Sequence, residues 1–365
     1  LVQNGDFSEE GVQEVSNGSF SQEGAEEVTN GDFSNGSTGW SVGTGITISS
    51  QANFTSVSGS YITQNILTAG KTYKLTFNIT EYTSGTLIVF GGAGNNIGSS
   101  LSLNAVGSYT TYFVAGGFDS KIYFGNVFTG SIDNVSVREV GQDWTLGTGW
   151  SIGEDKATFD GGSDANIIQT NAITIGNTFK VTLDVSDMDN GELSVRLGGG
   201  AATEIARIQS NGSYVFYGVA ISSNITFRAL SSFNGSITNI SVKEVGQNWV
   251  FSGGAYLTAL GARITTIPSA GFIRTDGYTP LVVGNNYKIT YEIIENISGS
   301  LKFDSAVNNV MVTSVGVHTK YFEADLNYVS IARTGSSVDV TITNISVIEI
   351  TDDTNLPRIN YEGFS

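Results

Sequence analysis

His318 is the sole histidine of this 365-residue chain, and there is no cysteine. Side chains able to trade protons near neutrality are therefore almost absent. A nucleophile–base pair would have to join a Ser or Thr to that one imidazole, and no G-x-S-x-G elbow surrounds any serine. His318 lies in GVHTKYF, where the two related segments carry Tyr109 and Tyr214, so it reads as a surface or packing residue. The glycine-rich runs GGAGNN at 91–96 and RLGGGAA at 196–202 lack the lysine and helix of a phosphate cradle and read as loops or bulges. Glu154 with Asp155, and Asp187 with Asp189, fall in turn-like stretches where carboxylates are usually solvated. No catalytic residues are expected, and no enzyme activity.

The elements that would position any site repeat. GSIDNVSVREV at 130–140, GSITNISVKEV at 235–245 and VTITNISVIEI at 340–350 recur with a spacing of 105 residues and read as a closing strand. GKTYKLTFNI, GNTFKVTLDV and GNNYKITYEI keep an apolar–polar alternation of period two in the middle of each unit. A tryptophan opens each unit, at Trp40, Trp144 and Trp249, and GSYTTYF, GSYVFYG and GVHTKYF fix the second half. Tyr112, Tyr217 and Tyr321 recur there in all three copies, which argues for a core role. With 46 glycines, 3 prolines and no long helical periodicity, the chain is expected to be all-β. Each unit has room for a two-sheet sandwich with its own core, so three jelly-roll sandwiches are expected at 30–140, 141–245 and 246–350. A linker at 351–365 is expected to lead into a further region.

The formal net charge is −17, but residues 1–34 hold eight acids and no Lys or Arg, which leaves the remainder only mildly acidic. No basic stripe exists to neutralise phosphates, which argues against nucleic acid, and no apolar run of about twenty residues argues for a membrane span. Eleven N-x-S/T sequons read as compositional in a chain so rich in Asn, Ser and Thr.

Residues 1–29 form a separate acidic repeat with a period of 13, with valine at 2, 15 and 28 and phenylalanine at 7, 20 and 33. An Asn-Gly between Val and Phe favours a tight turn each time. Two apolar residues per thirteen are not expected to bury a core within one chain. The repeat thus reads either as an oligomeric β shaft pooling Val and Phe from neighbouring chains or as a solvated acidic linker.

NGDF at 30–33, followed by GW at 39–40 and by SIDNVSV a hundred residues on, resembles the galactose-binding-like jelly roll of carbohydrate-binding modules attached to bacterial glycoside hydrolases. The second and third units keep Trp and closing strand but lack NGDF. The resemblance implies a structural calcium near the paired terminal strands, with Asp32 and Asp133 as its carboxylates, in the first unit only, because Thr238 and Thr343 replace Asp133 in the others. It also implies glycan binding, for which exposed aromatic rings are needed. Tyr82, Phe118, Phe128, Phe233, Tyr278 and Tyr328 lie in segments that read as loops or strand ends.

The order of segments, with NGDFSEEG-type repeats, GTGW-containing jelly rolls and then NLPRINYEGFS at 355–365, resembles fibre and appendage proteins of tailed-bacteriophage virions. That resemblance implies a structural or adhesive protein on the virion exterior, self-associating as a trimer or filament, contacting other virion proteins and host surface glycans. The other reading from the sequence is a carbohydrate-binding module array of a bacterial extracellular or cell-surface protein.

Overall fold

The structure, a computed structural model, describes residues 1–97, 103–116, 118–266, 271–306, 310–335 and 337–351. NLPRINYEGFS lies outside them. The chain is all-β, with one 3-10 turn at Ala201–Thr203 and no α-helix among the described residues.

In the first sandwich, one sheet has the order β4 (Ile46–Ile48), β5 (Ala52–Thr55), β11 (Phe128–Val140), β7 (Thr72–Gly85), β9 (Gly107–Val114). The facing sheet has the order β3 (Ser41–Val42), β6 (Tyr61–Asn65), β10 (Lys121–Gly125), β8 (Ile88–Gly91). Along β7 the alternation read from the sequence places Tyr73, Leu75, Phe77 and Ile79 in the core and Lys74, Thr76 and Asn78 on the outer face. Phe179, Val181, Leu183 and Val185, and then Tyr287, Ile289, Tyr291 and Ile293, are buried in the same way. In the second sandwich the strands Thr178–Arg196 and Ile225–Val245 run on through both layers, so its sheets merge.

The alternation of the closing strand breaks at one residue. Asn134, Asn239 and Asn344 all take a left-handed conformation (φ +53°, +51° and +52°), and each forms a bulge that turns the next apolar residue inward. Asn tolerates this conformation better than most residues with a Cβ.

The three bulges explain the N-terminal repeat. Repeat 3 packs on the first sandwich, repeat 2 on the second and repeat 1 on the third, so residues 1–33 form a strap running antiparallel to the order of the domains. The amides of Val135, Ile240 and Ile345, just past the bulges, donate to the carbonyls of Gly31, Gly18 and Gly5 at 2.9, 2.9 and 2.8 Å. A Cβ on those glycines would come within 1.9–2.0 Å of the carbonyl oxygens of Val135, Ile240 and Ile345, so only glycine fits. Each Asn-Gly starts a turn closed by the amide of Phe7, Phe20 or Phe33 donating to the Asn carbonyl, and both Asn and Phe have positive φ. The Phe then meets the recurrent tryptophan, with ring centroids 5.3 Å apart for Phe7–Trp249 and Phe20–Trp144 and 5.4 Å for Phe33–Trp40. The indole N–H of each tryptophan donates to strap carbonyls: Asn30, Ser16 and Asn17, and Gln3 and Asn4.

The expectation that Val and Phe would need a neighbouring chain is therefore corrected. Val15, Val28 and all three Phe are buried inside this chain, because each repeat completes a sandwich instead of building a core of its own. The turn missing from the second and third units is supplied from the N-terminus, as NGSF at 17–20 and NGDF at 4–7.

Nor is the strap a solvated linker. β1 (Glu10–Gln13) pairs antiparallel with the closing strand of the second sandwich, and β2 (Glu23–Glu26) with β11. Glu10 meets Lys180 and Lys243 at 2.6 and 3.0 Å, and Glu23 meets Lys74 at 2.6 Å. Glu10 and Glu23, two of the eight acids concentrated at the N-terminus, thus lie over lysines of the sandwiches.

A second correction concerns the recurrent tyrosines. Tyr112 packs against the core of the second sandwich beside Gly153, and Tyr217 against that of the third. They join successive sandwiches. Tyr321, on the last one, is exposed.

Candidate functional site

The residues expected to hold calcium lie where strap and closing strand meet. The Asp32 carboxylate caps its own turn, accepting from the amide and hydroxyl of Ser34 at 3.2 and 3.0 Å, and Asp133 accepts from the amide of Asn134 at 2.7 Å. Thr238 and Thr343, at the position of Asp133, donate their hydroxyls to the carbonyls of Ser19 (3.3 Å) and Asp6 (3.2 Å). Among the described residues there is no group of three or more His, Cys, Asp or Glu that could hold a metal. A calcium ion needs six to eight oxygens. Two short carboxylates engaged by their own neighbours do not fit that need.

Of the six aromatic residues expected as sugar platforms, Phe128 and Phe233 are 0 % exposed and cannot stack on a ligand. Phe128 packs on Phe54 at 5.6 Å, and Phe233 on Trp150 at 6.1 Å. Their setting, FTGS and FNGS, resembles a strand end, but each ring folds back over the glycine two residues on: a Cβ on Gly130 or Gly235 would sit 2.6 or 3.0 Å from the ring tip. Tyr278 serves the strap, its hydroxyl accepting from the Gln3 amide at 3.0 Å, and burial pushes its phenol above the usual range. Tyr328 lies under the Arg274 guanidinium, 5.3 Å from the ring centre. Tyr82 and Phe118 are exposed, at 38 % and 95 %. The structure does not gather the six into one site.

A different set converges. On the outer face of the β3-β6-β10-β8 sheet, Tyr61, Phe90 and Tyr123 form a half-buried triad, with centroid distances of 5.8 Å (Tyr61–Phe90), 5.8 Å (Tyr61–Tyr123) and 6.2 Å (Phe90–Tyr123) and interplanar angles of 68–88°. Register builds it. Tyr123 sits directly between Thr63 and Phe90, and Gly125 between Tyr61 and Ile88, so the missing side chain at 125 leaves a gap for the rings. Gly125 is also forced to be glycine, with φ +150° and a virtual Cβ 2.3 Å from the Ser60 carbonyl.

Polar groups border the triad. The Tyr123 hydroxyl donates to Asp119, which also accepts from the amides of Ala93 (2.9 Å) and Lys121 (3.3 Å). The hydrogen bond to Asp119, reinforced by burial, pushes the Tyr123 phenol up to about 12, so it stays a neutral donor. Burial works to raise the Asp119 carboxyl, but the hydrogen bonds from Tyr123 and Ala93 outweigh it and hold the group below its usual range. Thr63, Asn65 and Lys121 complete the rim on the same face.

The cross-strand register places Asn166, Thr226 and Arg196 at these three positions in the second sandwich, and Phe272, Ser330 and Asp304 in the third. The triad is confined to the first. Sequence reasoning looked at loops and passed over it. A phase signal was present, since YITQN, IVFG and KIYFG each alternate a buried residue with an outward aromatic one, but only pairing register shows that they converge.

No family model matches the chain, and no curated protein does. Among the solved structures similar to it in part are two tandem domains. The tandem CBM22-1–CBM22-2 domain of Xyn10C from Paenibacillus barcinonensis is 9 % identical with a TM-score of 0.25, covering 61 % of this chain and 99 % of that one. The tandem CBM51 modules of Sp3GH98, a family 98 glycoside hydrolase from Streptococcus pneumoniae SP3-BS71, are 7 % identical with a TM-score of 0.20, covering 53 % and 83 %. Likeness at this level carries no functional argument. No helix among the described residues is long and apolar enough to cross a membrane.

Proposed function

We propose that the chain is a non-catalytic adhesive array that binds glycans through the outer face of its first sandwich, with the second and third sandwiches serving as a strapped support. The observation that carries this reading is the triad of Tyr61, Phe90 and Tyr123, ringed by hydrogen-bonding groups and present in one sandwich of three. Aromatic rings pack against the C–H faces of sugar rings, and groups such as Thr63, Asn65 and Lys121 can pair with sugar hydroxyls. The order of repeats and sandwiches supports placing the array in a fibre or appendage on the exterior of a tailed-phage virion. A bacterial extracellular or cell-surface location would use the same face.

Screening the full chain on a glycan array and titrating the hits by calorimetry tests the proposal. Binding that is lost by more than tenfold in Tyr123→Ala and Tyr61→Ala, but kept in Tyr82→Ala and Phe118→Ala, is the expected result. Failure of every glycan to bind, or loss with Tyr82→Ala and Phe118→Ala alone, overturns it.

A further inference from the structure

The three strap grooves share one recognition scheme. Each uses a tryptophan that stacks on Phe and donates to strap carbonyls, and an amide past an Asn bulge that donates to a glycine carbonyl. The Asn of every repeat adds a third constraint, its side-chain oxygen accepting from the amide five residues on: Glu9, Gln22 and Asn35. The ligand of each groove is thus a Val-x-Asn-Gly-x-Phe segment held in a fixed turn.

What differs is the covalent distance. Repeat 3 runs straight into the first sandwich, reaching Trp40 seven residues after Phe33. Phe7, by contrast, packs in a core formed by residues 245–347 and is joined to it through the strap and two whole sandwiches. Residues 1–9 are therefore held on the third sandwich by non-covalent contacts alone.

From this we infer that the groove on the third sandwich, built on Trp249, Ile345 and Thr343, is a peptide-recognition site for Val-x-Asn-Gly-x-Phe that can take this segment from a second copy of the chain. An element completing a fold from far away in sequence is what domain swapping exchanges. The groove also carries a selectivity feature. In the first two sandwiches Gln64 and Gln169 clamp the amide and carbonyl of Thr29 and Ser16, at 2.7–3.0 Å. In the third sandwich Tyr278 accepts from the Gln3 amide, and Asn248 donates to the Gln3 side chain at 2.6 Å. Ser16 and Thr29 are too short to replace that contact, so the third groove prefers the first repeat.

The test uses full-length chains. Gly5→Val with Phe7→Ala disables the strap but leaves the third groove intact, and Trp249→Ala breaks the groove but leaves the strap. Mixing the two variants is expected to give a 1:1 heterodimer by analytical ultracentrifugation, with neither variant dimerising alone. If a variant does not fold, a fluorescent peptide of residues 1–13 is titrated into the wild-type chain. It is expected to exchange into the third groove and saturate below about 1 mM, a generous limit for specific recognition. A Gly5→Ala peptide should fail to bind, and a peptide of residues 14–26 should bind about fivefold more weakly, the value of one hydrogen bond. No heterodimer between folded variants, no peptide binding, or equal binding of the Gly5→Ala peptide overturns the inference. Because glycan binding at Tyr123 is read separately, failure here leaves the proposed function standing.

Discussion

The first and third sandwiches receive the same four-residue turn, NGDF, in the same groove, yet one turn is adjacent in sequence and the other more than two hundred residues away. The contacts hardly differ: ring centroids 5.4 and 5.3 Å apart, and an amide-to-glycine hydrogen bond of 2.9 and 2.8 Å. This shared part of the packing can therefore be reached with very different loop-closure entropy. Closure cost grows only slowly with loop length, so the distant turn loses little stability. The comparison also separates support from display, since the shared groove occurs three times and the aromatic triad once.

The largest effects should come from truncating the strap anchors. Phe7→Ala, Phe20→Ala and Phe33→Ala are each expected to destabilise their own sandwich by about 3–5 kcal/mol, the usual loss for a buried phenylalanine. Domain-resolved hydrogen exchange should show Phe7→Ala also releasing residues 1–9, while Phe33→Ala leaves its strap segment tethered. Equal release in both variants would break the contrast between distant and adjacent turns. Gly18→Ala should cost the second sandwich about 1–3 kcal/mol in denaturant melts, because the new methyl meets a backbone carbonyl that cannot rotate away.

Smaller changes sharpen the difference at residue 133. Thr343→Val should cost the third sandwich about 1 kcal/mol through the lost hydrogen bond to the Asp6 carbonyl. Asp133→Thr in the first sandwich should cost nothing or stabilise, because it installs the hydroxyl the other two copies use. A clear loss would show that the carboxylate has work there that a hydroxyl cannot do.

The smallest effect is electrostatic. Hydrogen bonds from Lys180 and then Lys243 hold the Glu10 carboxyl below its ordinary value of 4.5. A depressed folded-state value means that this contribution is complete above the unfolded value and is lost as pH falls through the folded one. Protection of residues 10–13 over the second sandwich should thus fade as pH drops below about 4.5. Glu10→Gln should remove about 0.2–1 kcal/mol at low ionic strength and less in salt, as measured by melts at two salt concentrations.

Period and alternation made the strands legible, because Tyr73-x-Leu75-x-Phe77-x-Ile79 and its two counterparts carry their burial pattern in the sequence. The strap was legible only as a repeat. Its partner was hidden because Val and Phe were weighed by what thirteen residues can bury alone, whereas the burying surface belongs to Trp249, Trp144 and Trp40. Two features pointed to it: the second and third units lack NGDF, and two spare turns, NGDF at 4–7 and NGSF at 17–20, precede the first unit. The aromatic face was illegible for another reason. Tyr61, Phe90 and Tyr123 come from strands up to 60 residues apart, and nothing local states which residues will be neighbours across a sheet.

The nitrogen of Leu1 donates to the carbonyl of Val347 at 3.1 Å, so the first strap repeat and the closing strand of the third sandwich lie side by side. Tension drawn between these points does not stretch the three sandwiches in series. It peels the first turn from the third sandwich, then loads the next attachment, and so reaches the first sandwich last. Each release lets out one thirteen-residue length of slack while the sandwich behind it still holds. In an optical trap the chain should lengthen in small early steps of that size before any large unfolding event, behaving as a tether that gives way in stages.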